Sequence, residues 1–402
     1  MKVKVQKSSS SDLIFFSAYF IYLVVTLLRT SFYCKYFEGN IYTAIKVLCI
    51  FLLIVNEIVK SKLTLKLLSG LFVCFSIYMI VAYNTSFFSD VVMLLAFVYC
   101  GHNLSFEKIA KLTIYVSSII LVFVVLSSYA GIINNYIEIV QTRRREYLGF
   151  RYSLYPAAII FNITALILYL NRRKIKLWHV LLLGASNFFI FYKTNSRLSF
   201  YMAVVMIVMI PFFQRFPKIL QNSKMLHIGM GMSFIIAAAS SYVLTVKYNS
   251  SIEWMNTLNN IFNNRLKYGN RSLVMYGVSL LGKHNMEWVG NGLDSAGNKS
   301  TQTYLWVDNF YISILQRFGI LVSIIIILLL TFTLFKCWKN QNYYLMFMLT
   351  LMAGHCMVDD LFLYLNYNTF WFVIGATLMT GKMTSKIRIP YKKQKFIKTL
   401  PH

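Results

Sequence analysis

Long apolar runs separated by short polar connectors recur along the whole chain, and each run is continuously apolar, not alternating at every second position. A run of roughly 18 or more such residues is long enough to cross a ~30 Å hydrocarbon layer as a helix, and an unbroken run argues against the alternating strand of a membrane barrel. The pattern predicts about twelve spans, at 13–29, 41–59, 66–83, 87–101, 111–133, 153–170, 177–193, 198–213, 225–246, 310–335, 343–358 and 361–381. One connector, 247–309, is long enough to require structure of its own. Within it Ile252, Met255, Leu258, Ile261, Phe262 and Leu266 recur at helical spacing. They predict two amphipathic helices at about 251–264 and 270–281, lying near the interface. A flexible stretch with Gly290, Gly292 and Gly297 follows. The expected organisation is nine helices over 1–246, a folded outer segment over 247–309, three helices over 310–381, and a basic tail over 382–402.

Composition agrees with this. Of the 402 residues 58% are hydrophobic and 13% charged, whereas a soluble domain carries about 25% charged residues. The expected fold class is an all-α polytopic membrane protein. The opening MKVKVQK before the apolar run 13–28 has no small-residue cleavage site after it, which predicts a retained signal-anchor helix. The six cysteines are scattered without paired spacing, so neither a disulfide framework nor a zinc site is expected.

Charge sets the orientation. The chain has 40 Lys and Arg against 13 Asp and Glu, a net +27. With the N-terminus in the cytoplasm, most cations fall on cytoplasmic connectors and the tail, and both termini lie inside. The exceptions are mostly arginines. Arg143, Arg144, Arg145 and Arg151 in QTRRREYLGFRY, then Arg197, Arg265 and Arg271, map to the outer face against that rule. Arginine presents a planar fork that binds phosphate or carboxylate oxygens bidentately, where lysine offers a point charge. Arginines gathered outside suit a phosphorylated or acidic ligand. The plain alternative is contact with anionic headgroups.

Asp308 and Asn309 stand where the tenth span begins, a favourable place for an acceptor cap. Asp308 is either that cap or a carboxylate acting as general base beside a basic site. Arg317 lies two turns into the same span, where an ionisable group is a functional candidate by default. His355 is a second candidate base, and Asp90, Asp359 and Asp360 share the depth of the outer arginines, with capping and turn roles equally open. His284 ranks with His355, whereas His102 and His179 map to the cytoplasmic side. Lys46 and Glu57, within the second span, are expected to snorkel. No Walker loop, GxGxxG, HExxH or nucleotide-sized cytoplasmic segment is present.

Three short motifs, taken in order, carry a family resemblance. LGFRYSLYPAAI (148–159) looks like a Gly-Phe-x-x-x-x-x-Pro element, TNSRLSF (194–200) like a Ser-Arg element, and VDNFYISILQRFGI (307–320) like a motif closing an outer loop. With the span count and the single long outer segment before the last three helices, the chain resembles the O-antigen and capsular polysaccharide polymerases of the Wzy class, relatives of the O-antigen ligases. The likeness covers most of the chain by topology and about forty residues by motif. Two departures stand out. Ala157 follows Pro156 where many members have Asn, and Asp308 stands where the ligases often have His.

The resemblance implies a helical transferase of the GT-C kind in a bacterial cytoplasmic membrane. It would polymerise undecaprenyl-pyrophosphate-linked repeat units at the outer face, without metal, nucleotide or other cofactor. Partners would be the lipid-linked donor and acceptor and the bilayer, with a chain-length regulator and a flippase nearby and no nucleic acid. Asp308 or His355 would serve the acceptor. Arg145, Arg151, Arg197, Arg265, Arg271, Asn309 and Arg317 would hold pyrophosphate or sugar. A lipid-linked oligosaccharide flippase and an O-antigen-type ligase are the alternatives. A solute transporter ranks below them, because no span shows a broken helix or paired charges at mid-membrane.

Overall fold

The computed structural model describes residues 10–60, 65–140, 143–284 and 286–380. Lys2, Lys4, Lys7 and the basic tail, on which the orientation argument partly rests, lie outside the described residues. The chain is a helical membrane protein, 71% helical over the described residues. Its first half holds α1 (Ser10–Arg29), α2 (Asn40–Lys60), α3 (Leu65–Thr85), α4 (Asp90–Gly101) and α5 (Phe106–Tyr129), then strands β1 (Ile137–Val140) and β2 (Arg143–Glu146). Next come α6 (Leu154–Leu170), α7 (Leu177–Thr194), α8 (Arg197–Arg215), α9 (Pro217–Asn222), α10 (Lys224–Gly231) and α11 (Ser233–Val246). The long segment over 247–309, called the outer segment after its expected side, contributes α12 (Glu253–Ile261) and α13 (Arg265–Tyr276), and the chain continues with α14 (Phe310–Lys339), α15 (Tyr343–His355) and α16 (Trp371–Thr380).

Among the described residues five helices, α1, α2, α5, α8 and α14, are long and apolar enough to cross a membrane, or six if α10 and α11, bent by 51°, count as one span. Helix α5 shows why such helices need hydrocarbon around them. Ile109, Val116, Ile120 and Val124 are buried on one face, while Tyr115, Ile119, Val122 and Leu126 are exposed on the other. Apolar residues on both faces are stable only when the outer face meets lipid. Helix α6 instead is buried nearly all round, between α5, α7, α8 and α15. Its one amide, Asn162, is satisfied by a reciprocal pair: Nδ2 donates to Thr369 Oγ1 at 3.0 Å and Oδ1 accepts Thr369 N at 3.2 Å. Asn187 on α7 donates to Thr164 Oγ1 at 2.7 Å. Such bonds join helices where lipid offers no partner.

Four departures from the expected pattern matter. First, 137–146 is an antiparallel hairpin in which Glu138 faces Arg145. The β-branched Ile137, Ile139 and Val140 favour the strand, so the fold is not purely helical. Gln141 and Thr142, at its tip, lie outside the described residues.

Second, α14 is broken at Gly319 (φ +82°). The outer segment fills the break: Ser279 O accepts Ile320 N at 3.1 Å, Leu280 O accepts Leu321 N at 3.2 Å, and Lys283 N donates to Gln316 O at 2.9 Å. The apolar run gave no sign of this interruption, which needs both segments at once.

Third, the helices expected over 343–358 and 361–381 end at His355 and resume at Trp371, leaving 356–370 non-helical apart from one tight turn at Leu361–Leu363. That backbone is satisfied internally, for instance by Asn368 Oδ1 accepting Phe370 N at 3.1 Å and Trp371 Nε1 donating to Phe362 O at 2.7 Å. Non-helical chain beside membrane helices is tolerated when its polar groups find partners within the protein.

Fourth, Lys46 does not snorkel. It is buried, 2.9 Å from Asp90 Oδ1, and donates to Phe88 O at 2.6 Å. A buried ammonium so close to a carboxylate and a carbonyl has what the water would otherwise supply.

Candidate functional site

The tenth predicted span opens on Asp308 and Asn309, and the two divide the roles between them. Asn309 is the cap: its Oδ1 accepts Tyr311 N at 3.0 Å and Ile312 N at 3.2 Å, while its Nδ2 donates to Met357 O at 2.7 Å. Asp308 is thereby left to face a cavity of about 420 Å3 enclosed by the outer segment and the ends of several helices. Tyr304 donates its hydroxyl to Asp308 Oδ2 at 3.2 Å, and Arg265 Nη2 lies 3.8 Å from the same oxygen.

Arg265 reaches this position because Asn263 and Asn264 both take left-handed backbone conformations (φ +50° and +64°), turning the chain sharply between α12 and α13. Asparagine adopts that conformation at low cost. Its guanidinium also donates to Phe262 O at 3.2 Å. Burial works against the charge of Arg265, but Asp308 and then Asp359 more than offset it, so its pKa lies above the ordinary value. Asp308 is pushed up by burial, with Arg265 opposing.

Two further carboxylates come from the non-helical stretch after α15. Asp359 and Asp360 both line the cavity. Asp359 Oδ1 accepts Leu361 N at 2.6 Å, and its Oδ2 is 3.9 Å from His355 Nε2. Asp360 is 2% exposed, and its Oδ2 has no hydrogen-bond partner among the described residues. Burial first, then the neighbouring Asp308, pushes its carboxyl up to about 7 against the pull of Arg317. Asp308 and Asp360 oppose each other's ionisation unless positive charge compensates.

Arg265 supplies such charge to Asp308 and Arg317 to Asp360, and two further arginines line the wall. Arg151 lines the cavity, held by its own backbone: its N donates to Thr30 O at 3.0 Å and its O accepts Leu293 N at 2.8 Å. The turn before it needs Gly149 (φ +82°), where a Cβ would lie 2.8 Å from Ile133 Cδ1 and 3.0 Å from Val124 O. Arg151 Nε is buried without a hydrogen-bond partner among the described residues. Arg29, at the end of α1, also lines the cavity, its guanidinium 3.8 Å from the Tyr42 ring centroid. Arg317 stands behind the wall, over the indoles of Trp288 at 4.4 Å and Trp306 at 5.3 Å. Aromatic side chains form much of the rest: Tyr152 and Tyr155 from the start of α6, and Tyr364 and Tyr367 from the stretch that carries the aspartates. Asp90, at the start of α4, completes the acidic side.

The remaining sequence candidates lie elsewhere. Arg145 is 3.6 Å from Glu138, a carboxylate that also holds Lys299. Arg143 donates to Asn263 Oδ1 at 3.2 Å, and Arg197, exposed at the start of α8, donates to Asn195 Oδ1 at 3.3 Å. Burial, then Arg197 and Arg145, pushes the Arg143 pKa down. These three form a basic patch expected on the outer face and do not line the cavity. Arg271 is exposed on α13. His355 sits behind Asp359 with its ring stacked on Phe161 at 5.3 Å, and is not a lining residue. His284 packs on Tyr83, its Nδ1 2.6 Å from that residue's carbonyl.

Sequence reasoning left Arg29 and the tyrosines without a role. The paired aspartates before the aromatic run LFLYLNY were the signal within reach. Among the described residues no group of three or more His, Cys, Asp or Glu side chains could hold a metal ion. A scan against models of known protein families and searches among curated proteins and solved structures return no match to this chain.

Proposed function

We propose that the protein is a membrane glycosyltransferase that joins oligosaccharide units carried on a polyprenyl pyrophosphate, building a surface polysaccharide at the outer face of a bacterial cytoplasmic membrane. The observation that carries this reading is the cavity itself. Arg29 and Arg151 line, together with Asp308, Asp359 and Asp360, a pocket walled by tyrosines at the ends of apolar helices. Its ~420 Å3 falls within the roughly 300–1,000 Å3 usual for small-ligand sites.

The reaction asks for these parts. An acceptor hydroxyl attacks the anomeric carbon of the donor sugar, the bond from that carbon to the pyrophosphate oxygen breaks, and the hydroxyl proton passes to a base. Carboxylates can take the proton. Guanidinium groups can neutralise the departing pyrophosphate through bidentate hydrogen bonds, in a site where water is scarce. Tyrosine faces offer flat, partly apolar surfaces against which sugar rings pack, with hydroxyls to orient them. In this reading the chain crosses the membrane about twelve times, with both termini inside and the outer segment over the site. The donor and acceptor are its direct ligands, with a chain-length regulator and a flippase as neighbours.

The experiment is a deletion strain whose lipid-linked and surface glycans are separated by size. A polymerase leaves single repeat units on the outside and no ladder. Single units retained inside would indicate a flippase, free lipid-linked polymer a ligase, and an unchanged ladder would remove the proposal.

A further inference from the structure

Three carboxylates meet at the cavity, and their surroundings differ. Asp308 is paired with Arg265 and receives the Tyr304 hydroxyl, so its charge is compensated in place. Asp359 accepts a backbone N–H from Leu361 and lies against His355, so it is tied into the turn that holds this stretch. Asp360 is buried to 2% exposure and keeps one oxygen without a hydrogen-bond partner among the described residues. A buried polar atom without a partner calls for an explanation such as a catalytic role or an absent donor.

The groups facing Asp360 set what it can do. Asp308 and Trp306 approach from the outer segment, Arg317 from α14, Asp359 and Tyr364 from its own stretch, and Tyr155 from α6. Arg317 is shared with the indoles of Trp288 and Trp306, which hold it over their faces. The two carboxylates near Asp360 oppose its ionisation, whereas Arg317 and a hydrogen bond from the Trp306 side chain support it; no guanidinium is paired with it as Arg265 is with Asp308.

We propose, resting on the transferase reading above, that Asp360 is the base that accepts the proton of the attacking hydroxyl, while Asp308 and Arg265 form a fixed ion pair beside it. In the step, the acceptor oxygen forms its bond to the anomeric carbon and its proton moves to the Asp360 carboxylate. The anomeric carbon–oxygen bond breaks, and the electron pair leaves on the pyrophosphate. Asp360 then releases the proton to water as the product moves on. Rotation about its terminal torsion exchanges the two carboxylate oxygens, so the unpartnered one can meet a hydroxyl that enters the cavity. The deprotonated form is the active one, so turnover rises as pH increases through about 7.

The test uses membranes from the deletion strain carrying wild-type or variant full-length protein, with accumulated lipid-linked repeat units as the probe and the glycan ladder as readout. If wild-type membranes make no ladder that deletion membranes lack, the transferase reading fails, whatever Asp360 does. If the wild type makes the ladder, Asp360→Asn, at equal membrane abundance, is expected to slow it by about 100-fold or more. Asp360→Glu keeps partial activity and displaces the acid limb of the pH profile. An Asp360→Asn protein of near wild-type rate overturns the assignment and leaves the transferase reading standing. Should Asp360→Asn not accumulate, the profiles decide: a wild-type rate flat between pH 5 and 8, or an acid limb that Asp360→Glu does not move, overturns it equally.

Discussion

Gly319 and Gly282 meet backbone to backbone: a Cβ on Gly319 would lie 2.3 Å from Gly282 N, and one on Gly282 would lie 2.3 Å from Arg317 O. Both residues also have positive φ, +82° and +93°. A membrane helix and the outer segment are thus joined at a point where neither tolerates a side chain. Gly319→Ala is expected to lower stability by more than the roughly 1–3 kcal/mol of strain at a backbone conformation that essentially only glycine adopts, because the backbone contact must open as well. Gly184→Ala on α7, where a Cβ meets nothing within 4 Å, is the control and should be neutral or slightly stabilising. Melting temperatures in detergent compare the two.

Arg265 and Asp308 are both largely buried, so removing one leaves the other with only its secondary partner, Asp359 for Arg265 and the Tyr304 hydroxyl for Asp308. Arg265→Gln or Asp308→Asn alone is expected to cost several kcal/mol, about 3–5 if the remaining charge stays uncompensated. The double variant should recover part of that loss. A coupling energy of at least about 0.5 kcal/mol in a double-mutant cycle measures the pair, and strict additivity would deny it.

The arginines of the cavity and those of the outer patch should separate functionally. Arg151→Gln removes a donor from the cavity wall and is expected to lower polymer yield by about 100-fold, the scale of losing one donor at a developing negative charge. Arg197→Gln lies outside the cavity and should change yield by less than about threefold, with a greater effect at low salt. Equal losses in size-resolved glycan yields would place both arginines at the chemistry.

Asp360 also predicts a pH dependence of stability. The native carboxyl holds its proton up to about pH 7, while in the unfolded chain it ionises near 4. Between those values the native state binds more protons, so this contribution is full below about 4 and is lost as pH rises towards 7. Asp360→Asn removes the dependence. Its melting temperature relative to wild type should therefore rise from pH 5 to pH 8, and a constant difference would show that Asp360 titrates normally.

The sequence was most informative where a single segment decides its own structure. Apolar runs marked where α1, α2, α5 and α8 lie, because each needs only length and an apolar surface. Interruptions depended on two segments meeting. The break at Gly319 exists because residues 279–283 pair with it, and the stretch 356–370 is held by bonds to distant partners such as Asn162. The site shows the same division. Asp308, Arg151 and Arg265 were visible as charges out of place, and the cavity gathers them. Arg145 and Arg197 looked identical to them in sequence, and only the hairpin, by giving Arg145 to Glu138, separates the two groups. Asp360 stood beside Asp359 with nothing to distinguish them, since which carboxylate takes the turn is settled by the path of the backbone.

The pairing of residues 279–283 with the broken α14 has a consequence for anyone reshaping this protein. Ser279 and Leu280 supply carbonyls to the amides just past Gly319. A deletion or exchange of the outer segment that removes them would leave those amides without partners, a cost of several kcal/mol each wherever hydrocarbon reaches them. The boundary of the membrane unit therefore runs through Lys283 instead of Val246. Grafts from another chain should keep 277–283 intact and vary only what lies on either side.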